Sequence, residues 1–200
     1  MDDAGLERIT QFLFEVGTMR KLARMHRQLL LTDDMSDNIA THSFRVATIG
    51  FFLAKMEGAD PFKVAMMCLL HDMGEARSND QNWLNKRYVK VAEDEIAAEQ
   101  FGTLPFPDFA EILGEYEKRE SKEAIIAKDA DMLDQVLLLR EYAWQGNREA
   151  QVWLDGKEEA RPYAYLDRVK TKSGKALGKV IYDENPASWW NNLSTPDRRK

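Results

Sequence analysis

The sequence predicts an all-α fold, and two kinds of observation support this prediction. Apolar residues recur at intervals of three and four along most of the chain, which is the spacing of one face of an α-helix. The segments with this spacing are separated by residues that favour helix starts, such as Asp60-Pro61 before one segment and Ser121 before another. Two hundred residues are enough for one sizeable domain with a single hydrophobic core.

The first half of the chain is predicted to contain three long helices. Ser36 or Asp37 is a suitable N-cap for the second helix, and Gly58 follows its end. The third helix is almost continuously apolar, so we expect it to be the buried central element. The predicted helices cover Leu6 to Arg27, about Asn38 to Met56, and Pro61 to about Asp72.

The second half is predicted to be helical as well, with helices at Trp83 to Gln100, Phe109 to Glu120 and Lys122 to about Trp144. Arg161-Pro162 is expected to open a further helix. The helix that follows Ser121 contains three acids in an apolar context, Asp129, Asp131 and Asp134. Successive residues turn by about 100° around a helix, so one solvated face cannot hold all three acids. Burial of a carboxylate is costly without a partner, and we therefore expect partners for them.

Composition narrows the possible partners and the cellular location. The formal net charge of −6 argues mildly against non-specific binding of nucleic acid. Cys68 is the only cysteine and lies in an apolar run, which suits a reducing compartment. We recognise neither a secretory signal nor an apolar run of the ~18 residues needed to span a membrane. We therefore expect a cytoplasmic protein without a membrane or nucleic-acid partner.

Two histidines and an adjacent aspartate carry the clearest chemical signal. His42 shares a helix face with Ile39 and Val46, so its imidazole should point inward, where it needs a partner. His71 and Asp72 are neighbours at the end of the third predicted helix, and both cannot point into one core. Imidazole nitrogen and carboxylate oxygen are ligands that divalent metals of intermediate softness accept. Each residue alone could be structural, but together they indicate a metal site.

A polar loop follows this pair and is where groups that take part in chemistry could be held. Gly74 permits a sharp turn directly after the His71-Asp72 pair. Glu75, Arg77 and Asp80 come next in the chain and should lie close to the predicted metal.

Three segments resemble the motifs of the HD-domain metal-dependent phosphohydrolases, most closely those of the deoxynucleoside 5′-monophosphatase (5′-deoxynucleotidase) branch. The segments are Ile39 to Ala47, Leu70 to Glu75, and Lys128 to Asp131. The resemblance covers roughly residues 20 to 145. It implies an HD-domain helical bundle with a metal site at its centre, formed by residues 1–200 as one domain. The core would lie at about 20–145 and a helical extension at about 146–200.

The resemblance also implies the composition of the site. One divalent metal ion per chain would be held by His42, His71, Asp72 and Asp131. Glu75 would activate the attacking water, and Asp80 would contact the sugar or the water. Mixed nitrogen and oxygen ligands suit Mn, Co, Fe, Ni or Zn better than Mg or Ca.

The resemblance further implies an arginine that grips the phosphate, near Arg24 and Arg27 on the first predicted helix. Arg27 is the preferred candidate because its spacing to His42 is nearer to that of the family. A homodimer is also implied, and Trp189, Trp190 and the aromatic stretch Phe101 to Phe109 could be buried at its interface. The expected substrate is a small-molecule nucleotide.

This chain departs from the sequence pattern of the branch at two places, so more than one substrate or function is possible. Thr41 stands where the branch usually has an acid before the first histidine, and no Trp closely follows an Arg on the first helix. A hydrolase of another nucleotide or phosphoester, such as a second messenger, is one alternative. A non-catalytic HD module that binds metal or nucleotide is the other. Glu75 and Asp80 beside the metal motif favour an enzyme.

Overall fold

The computed structural model describes residues 1–156, 161, 163–191 and 193, and within these ranges it contains helices and no strand beyond one isolated bridge. The all-α fold is therefore confirmed. The α-helices, in chain order, are α1 Asp3–Val16, α2 His26–Leu29, α3 Ile39–Glu57, α4 Pro61–Leu70, α5 Glu75–Ser78, α6 Glu93–Phe101, α7 Asp108–Lys118, α8 Lys122–Trp144, α9 Arg148–Asp155, α10 Lys172–Asp183 and α11 Ser188–Asn191.

Helices α3, α4 and α8 form the centre of the fold, and their starts follow from local capping. The Asn38 side chain accepts a hydrogen bond from Thr41 N at 3.1 Å, so the cap of α3 is Asn38 rather than Ser36 or Asp37. The predicted start of α4 is confirmed, because the Asp60 side chain accepts from two backbone N–H groups of its first turn. The Ser121 hydroxyl caps α8 in the same way.

The main core lies where these three helices meet. Gly50 of α3 allows α4 to approach closely, since a Cβ at this position would lie only 2.7 Å from Cys68 Sγ. A fully buried aliphatic side chain contributes roughly 1.5–3 kcal/mol to stability, and this core contains many of them. Side chains with no exposed surface include Val46, Leu53, Val64, Met67, Ile126, Leu133 and Leu139.

The prediction of one helix from Leu6 to Arg27 is wrong. Helix α1 ends at Val16, and after a 3₁₀ turn at Met19–Lys21 the backbone of Leu22 is extended. Arg24 N donates to Asp37 O at 2.9 Å, and Ile39 N donates to Leu22 O at 3.0 Å. These two bonds join the segment to the start of α3. The apolar repeat in the sequence continues across Gly17, and a local pattern cannot reveal this long-range pairing.

The prediction of a helix from Trp83 to Gln100 is also wrong in its first half. The chain there forms a 3₁₀ turn at Asn85–Arg87, and α6 begins only at Glu93. The buried Asn82 side chain accepts hydrogen bonds from the next backbone N–H groups, which favours a tight turn over a continuous helix. For the predicted helix at Arg161-Pro162, Pro162 lies outside the described residues; the chain next forms a 3₁₀ turn at Ala164–Arg168.

Phe101 belongs to a second, smaller core and not to an exposed surface. It is 2% exposed and packs edge-to-face against Phe12 at 5.8 Å between ring centroids. The suggestion that it contributes to a dimer interface is therefore wrong. Phe106, by contrast, is exposed, as are Trp189 and Trp190.

The C-terminal elements pack onto α8 and extend the main core. Leu154, Leu166 and Val169 are buried in the same cluster as the central helices. The carboxylate of Asp129 on α8 accepts hydrogen bonds from Lys170 N at 2.8 Å and Thr171 N at 2.6 Å. The single domain of residues 1–200 stays a prediction. None of the described helices is long and apolar enough to cross a membrane.

We expect Asp129→Ala to lower the free energy of unfolding by about 2–4 kcal/mol, because two backbone donors lose a charged, buried acceptor. Asp129→Asn keeps one carbonyl acceptor and should lose less. Urea unfolding followed by circular dichroism measures both changes. The exposed Asp33 provides the matched control, and Asp33→Ala should change stability by no more than about 0.5 kcal/mol. Equal stability of Asp129→Ala and the parent would contradict this role.

Candidate metal centre and its cavity

The start of α3, the end of α4 and the middle of α8 bring two histidines and two aspartates together. His42 Nε2 lies 3.3 Å from His71 Nε2 and 3.3 Å from Asp72 Oδ2. His71 Nε2 lies 3.1 Å from the same Asp72 oxygen. Asp131 on α8 stands slightly apart, with its Oδ1 3.4 Å from His42 Nε2 and 3.8 Å from His71 Nε2.

This donor set fits one divalent cation. Ligands at about 2.1 Å from an ion and at right angles to each other would lie about 3.0 Å apart, close to the distances seen here. Both Nδ1 atoms are already engaged: that of His42 lies 2.6 Å from Asp134 Oδ2, and that of His71 lies 2.7 Å from Cys68 O. Each Nδ1 can therefore carry the proton of a neutral ring, which leaves the Nε2 lone pairs for a cation.

The charges in the cluster are the second indication of a cation site. Burial lowers the pKa of His71, but Asp72 and Asp131 outweigh burial and raise it to about 9. Burial raises the pKa of Asp72, yet the two imidazoles hold it well below its usual value. Without a cation, protonation of the imidazoles therefore balances the negative charge of the carboxylates. A divalent ion would replace these protons, since only neutral imidazole can act as a ligand.

A partly buried ion-pair network holds His42 in place. Asp134 accepts from His42 Nδ1 through Oδ2 and from Arg45 Nε through Oδ1, the latter at 2.5 Å. Arg45 in turn contacts Glu141 at 2.7 Å. Sequence reasoning noticed Asp134 only as a costly acid and gave Arg45 no role. Asp134 follows Asp131 by three residues, and Arg45 follows His42 by three. This spacing is typical of neighbours on a helix and was the signal in the sequence that these residues lie near the metal site.

Glu75 lies beside the cluster and lines a cavity of about 970 Å³, together with Asp72 and Asp80. Burial, reinforced by the charges of Asp72 and Asp80, raises the pKa of Glu75 to about 9. Asp80 is 7% exposed, and its Oδ2 accepts a hydrogen bond from Met25 N at 2.5 Å. Asp80 therefore fixes the segment in front of α2 as well as lining the cavity.

The two candidate arginines are in different places, and the preference for Arg27 is not supported by their positions. Arg24 is 7% exposed, lines the cavity, contacts His42 and lies 3.6 Å from Asp134 Oδ2. Arg27 contacts Met35 Sδ and lines a separate surface depression. The expectation that both arginines lie on one continuous helix is also wrong, because Arg24 precedes α2.

The cavity has further polar and aromatic walls that sequence reasoning missed. Lys128 lies 2.6 Å from Asp131, and the spacing of three residues could have suggested this pair. The others come from distant parts of the chain and leave no local signal. Additional side chains that line the cavity are His26, Arg119, Gln135, Trp153, Tyr165 and Arg168.

Many cavity side chains have unused hydrogen-bonding capacity. Among the described residues, no partner is found for buried atoms of several of them. Buried polar atoms normally have partners, so a concentration of exceptions around one cavity indicates a polar ligand. The atoms are Arg24 Nε, His26 Nδ1, Glu75 Oε2, Gln100 Oε1, Arg119 Nη1 and Gln135 Nε2.

Comparison with known proteins agrees with this geometry. A family model described as HD domain matches residues 19–167. The 5′-deoxynucleotidase HDDC2 of Dictyostelium discoideum is 28% identical over a match that covers 56% of this chain and 66% of that protein, just under two thirds.

Two solved structures are similar over most of the chain. A predicted metal-dependent phosphohydrolase from Magnetospirillum magnetotacticum MS-1 has a TM-score of 0.64 and 26% identity, covering 90% of this chain and 95% of that one. The PH0347 protein from Pyrococcus horikoshii OT3 has a TM-score of 0.65 and 26% identity, covering 86% and 99%.

We expect the purified protein to bind about one divalent transition metal per chain, because ligand atoms of His42, His71 and Asp72 converge and Asp131 lies close beside them. Asp72→Ala and Asp131→Asn should each strongly reduce the metal content measured by elemental analysis. Asp129→Asn is the matched control, since Asp129 is an equally buried aspartate on α8 that bonds to backbone N–H groups instead. Parental metal content in Asp72→Ala would rule out the proposed ligand set.

Proposed function

Because the chain belongs to the HD domain family of metal-dependent phosphohydrolases, we propose that it releases phosphate from nucleoside 5′-monophosphates, deoxynucleotides included. The observation that carries the proposal is the cluster of His42, His71, Asp72 and Asp131 beside a cavity that is also lined by Glu75 and Arg24. The similarity to a 5′-deoxynucleotidase supports the choice of substrate. The cavity volume falls within the range that holds ligands of this size.

In this proposal His42, His71, Asp72 and Asp131 hold the divalent cation. Phosphomonoester hydrolysis is extremely slow in water, so a catalyst must provide a nucleophile and neutralise charge on the phosphoryl oxygens. A bound divalent cation would lower the pKa of water and stabilise that charge. The protein residues around it orient the substrate and transfer protons.

Glu75 is the proposed general base. Its carboxylate must be ionised to accept a proton from the attacking water, whereas the pKa of about 9 favours the protonated form. Burial and the charge of Asp72 are the main causes of this high pKa. Compensation of the Asp72 charge by a cation would lower the pKa of Glu75 toward the range that a base needs at neutral pH.

Arg24 is the proposed phosphate ligand. Its guanidinium is buried beside His42 and still has an Nε without a partner among the described residues. A planar guanidinium can donate two parallel hydrogen bonds to phosphate oxygens. Asp80, which bonds to Met25 N, positions the segment that carries Arg24. This role adds to the contact with sugar or water that the family resemblance implies.

The homodimer and the cytoplasmic location stay predictions. The identity of the metal also stays open among Mn, Co, Fe, Ni and Zn. Hydrolysis of another phosphoester, such as a second messenger, would use the same residues, and a screen of substrates separates these possibilities.

A phosphate-release screen over nucleoside mono-, di- and cyclic phosphates with several divalent metals tests the proposal. We expect release from 5′-monophosphates, and Glu75→Gln should reduce turnover by roughly 10²–10⁴-fold through loss of the base. Elemental analysis should show that Glu75→Gln retains metal. Activity confined to cyclic or diphosphate substrates would contradict the proposal that 5′-monophosphates are the substrates. Nucleotide binding without turnover would favour a non-catalytic module.

A comparison of Arg24→Ala with Arg27→Ala tests the phosphate ligand. Arg24→Ala should lower kcat as well as raise KM, because the contact strengthens as charge develops on the phosphoryl group. Arg27→Ala should change both parameters little, since Arg27 lies outside the cavity. Steady-state kinetics on both variants, with thermal unfolding as a check on folding, decides between them. A larger effect of Arg27→Ala would reverse the assignment.

A further inference from the structure

The rings of His26, Trp153 and Tyr165 line the cavity, and two of them come from C-terminal elements. The imidazole of His26 meets the indole of Trp153 edge-to-face, with 5.9 Å between centroids and an interplanar angle of 83°. Arg168 lies near the phenol ring of Tyr165, with 5.5 Å between its guanidinium carbon and the ring centroid. We call His26, Trp153, Tyr165 and Arg168 the ring wall.

The ring wall is connected to the candidate metal centre through Arg24. Arg24 Nη2 lies 3.1 Å from His26 Nε2, and Arg24 Nη1 lies 3.6 Å from Asp134 Oδ2. Arg24 therefore stands between the ring wall and the network that holds His42. From His42, successive contacts lead through the guanidinium of Arg24 to the rings of His26 and Trp153. A nucleoside 5′-monophosphate has the corresponding order of phosphate, sugar and planar base.

The chemistry of the ring wall suits a flat, polar ring better than an aliphatic chain. Its members are planar, and each carries a polar edge that can donate or accept a hydrogen bond. Since the arginine can only donate, His26 Nε2 accepts and the proton lies on Nδ1. This Nδ1 is one of the atoms without a partner among the described residues. Burial and the charge of Arg24 lower the pKa of His26 to about 3, so the ring is neutral.

We propose that the ring wall binds the base of the nucleotide substrate, with Trp153 as the principal stacking residue. This inference rests on the proposed nucleotide monophosphatase function and adds a specificity site to it. Trp153 lies on α9 and is only partly buried, so part of its indole remains available to a ligand. The segment beyond residue 145 thereby completes the substrate pocket.

Kinetics with and without a base on the substrate test the proposal. Trp153→Leu should raise the KM for deoxyadenosine 5′-monophosphate about 5- to 150-fold, the effect of one lost aromatic stacking partner. The KM for deoxyribose 5-phosphate should change by no more than about twofold, since that compound has no base to stack. Trp153→Phe retains a ring and should lie between Trp153→Leu and the parent. Trp144→Leu removes an exposed tryptophan elsewhere and is the matched control.

Two results would overturn the proposal. One is an equal rise in KM for both substrates in Trp153→Leu, which would mean that Trp153 only maintains the shape of the pocket. The other is an unchanged KM for the nucleotide in both Trp153→Leu and His26→Leu, the second variant being included in case the first does not fold.

Failure of the proposed function can be told apart from failure of this inference. If the manganese-loaded protein hydrolyses neither compound, calorimetric titration of the same protein with each compound decides the inference. Tighter binding of the nucleotide than of the sugar phosphate, lost in Trp153→Leu, would support base binding without catalysis. Equal affinities for the two compounds would refute it.

Discussion

The structure depends on the burial of two imidazoles and two carboxylates at one point between three helices. Such a cluster is costly unless each group has a partner of opposite charge or a hydrogen bond. The hydrogen bond between His42 Nδ1 and Asp134 is central, because it fixes the imidazole in the orientation that presents Nε2 to the cluster. Arg45 and Arg24 compensate the charge of Asp134, so both arginines serve the same imidazole.

The need of these buried groups for charged partners explains why the first helix ends at Val16. A continuous helix to residue 27 would keep its backbone bonds, but the observed chain leaves the helix and pairs with the start of α3 instead. The turn allows Arg24 to enter the cavity, where Asp72, Asp131 and Asp134 attract it. Asp80 and Asn82 then bind the backbone of Met25 from the other side. Local helix propensity is worth less than one kcal/mol per residue, roughly, so these buried polar contacts outweigh it.

The sequence was sufficient for features that depend on local patterns. The caps Asp60 and Ser121, the inward side of His42 and the need of the three α8 acids for partners could all be read from spacing and residue type. The breaks after Val16 and before Glu93 could not, because tertiary hydrogen bonds override an unbroken apolar repeat. Arg24 was ranked below Arg27 because only the spacing to His42 was compared with that of the family, and spacing does not show which arginine enters the cavity. The ring wall joins residues more than a hundred positions apart, and a single sequence holds no signal for such a contact.

Helix α8 carries three buried acids that serve the candidate metal centre and the C-terminal segment. Rotation by about 100° per residue directs them to different sides of the helix, which is why a single solvated face could not accommodate them. Asp131 approaches the metal ligands, Asp134 holds His42, and Asp129 holds the backbone of Lys170 and Thr171. The last contact anchors the chain just after Tyr165 and Arg168. Tyr165 and Arg168 of the ring wall are thus anchored to the same helix that carries Asp131 and Asp134, so α8 connects the proposed site for the base with the proposed site for the phosphate.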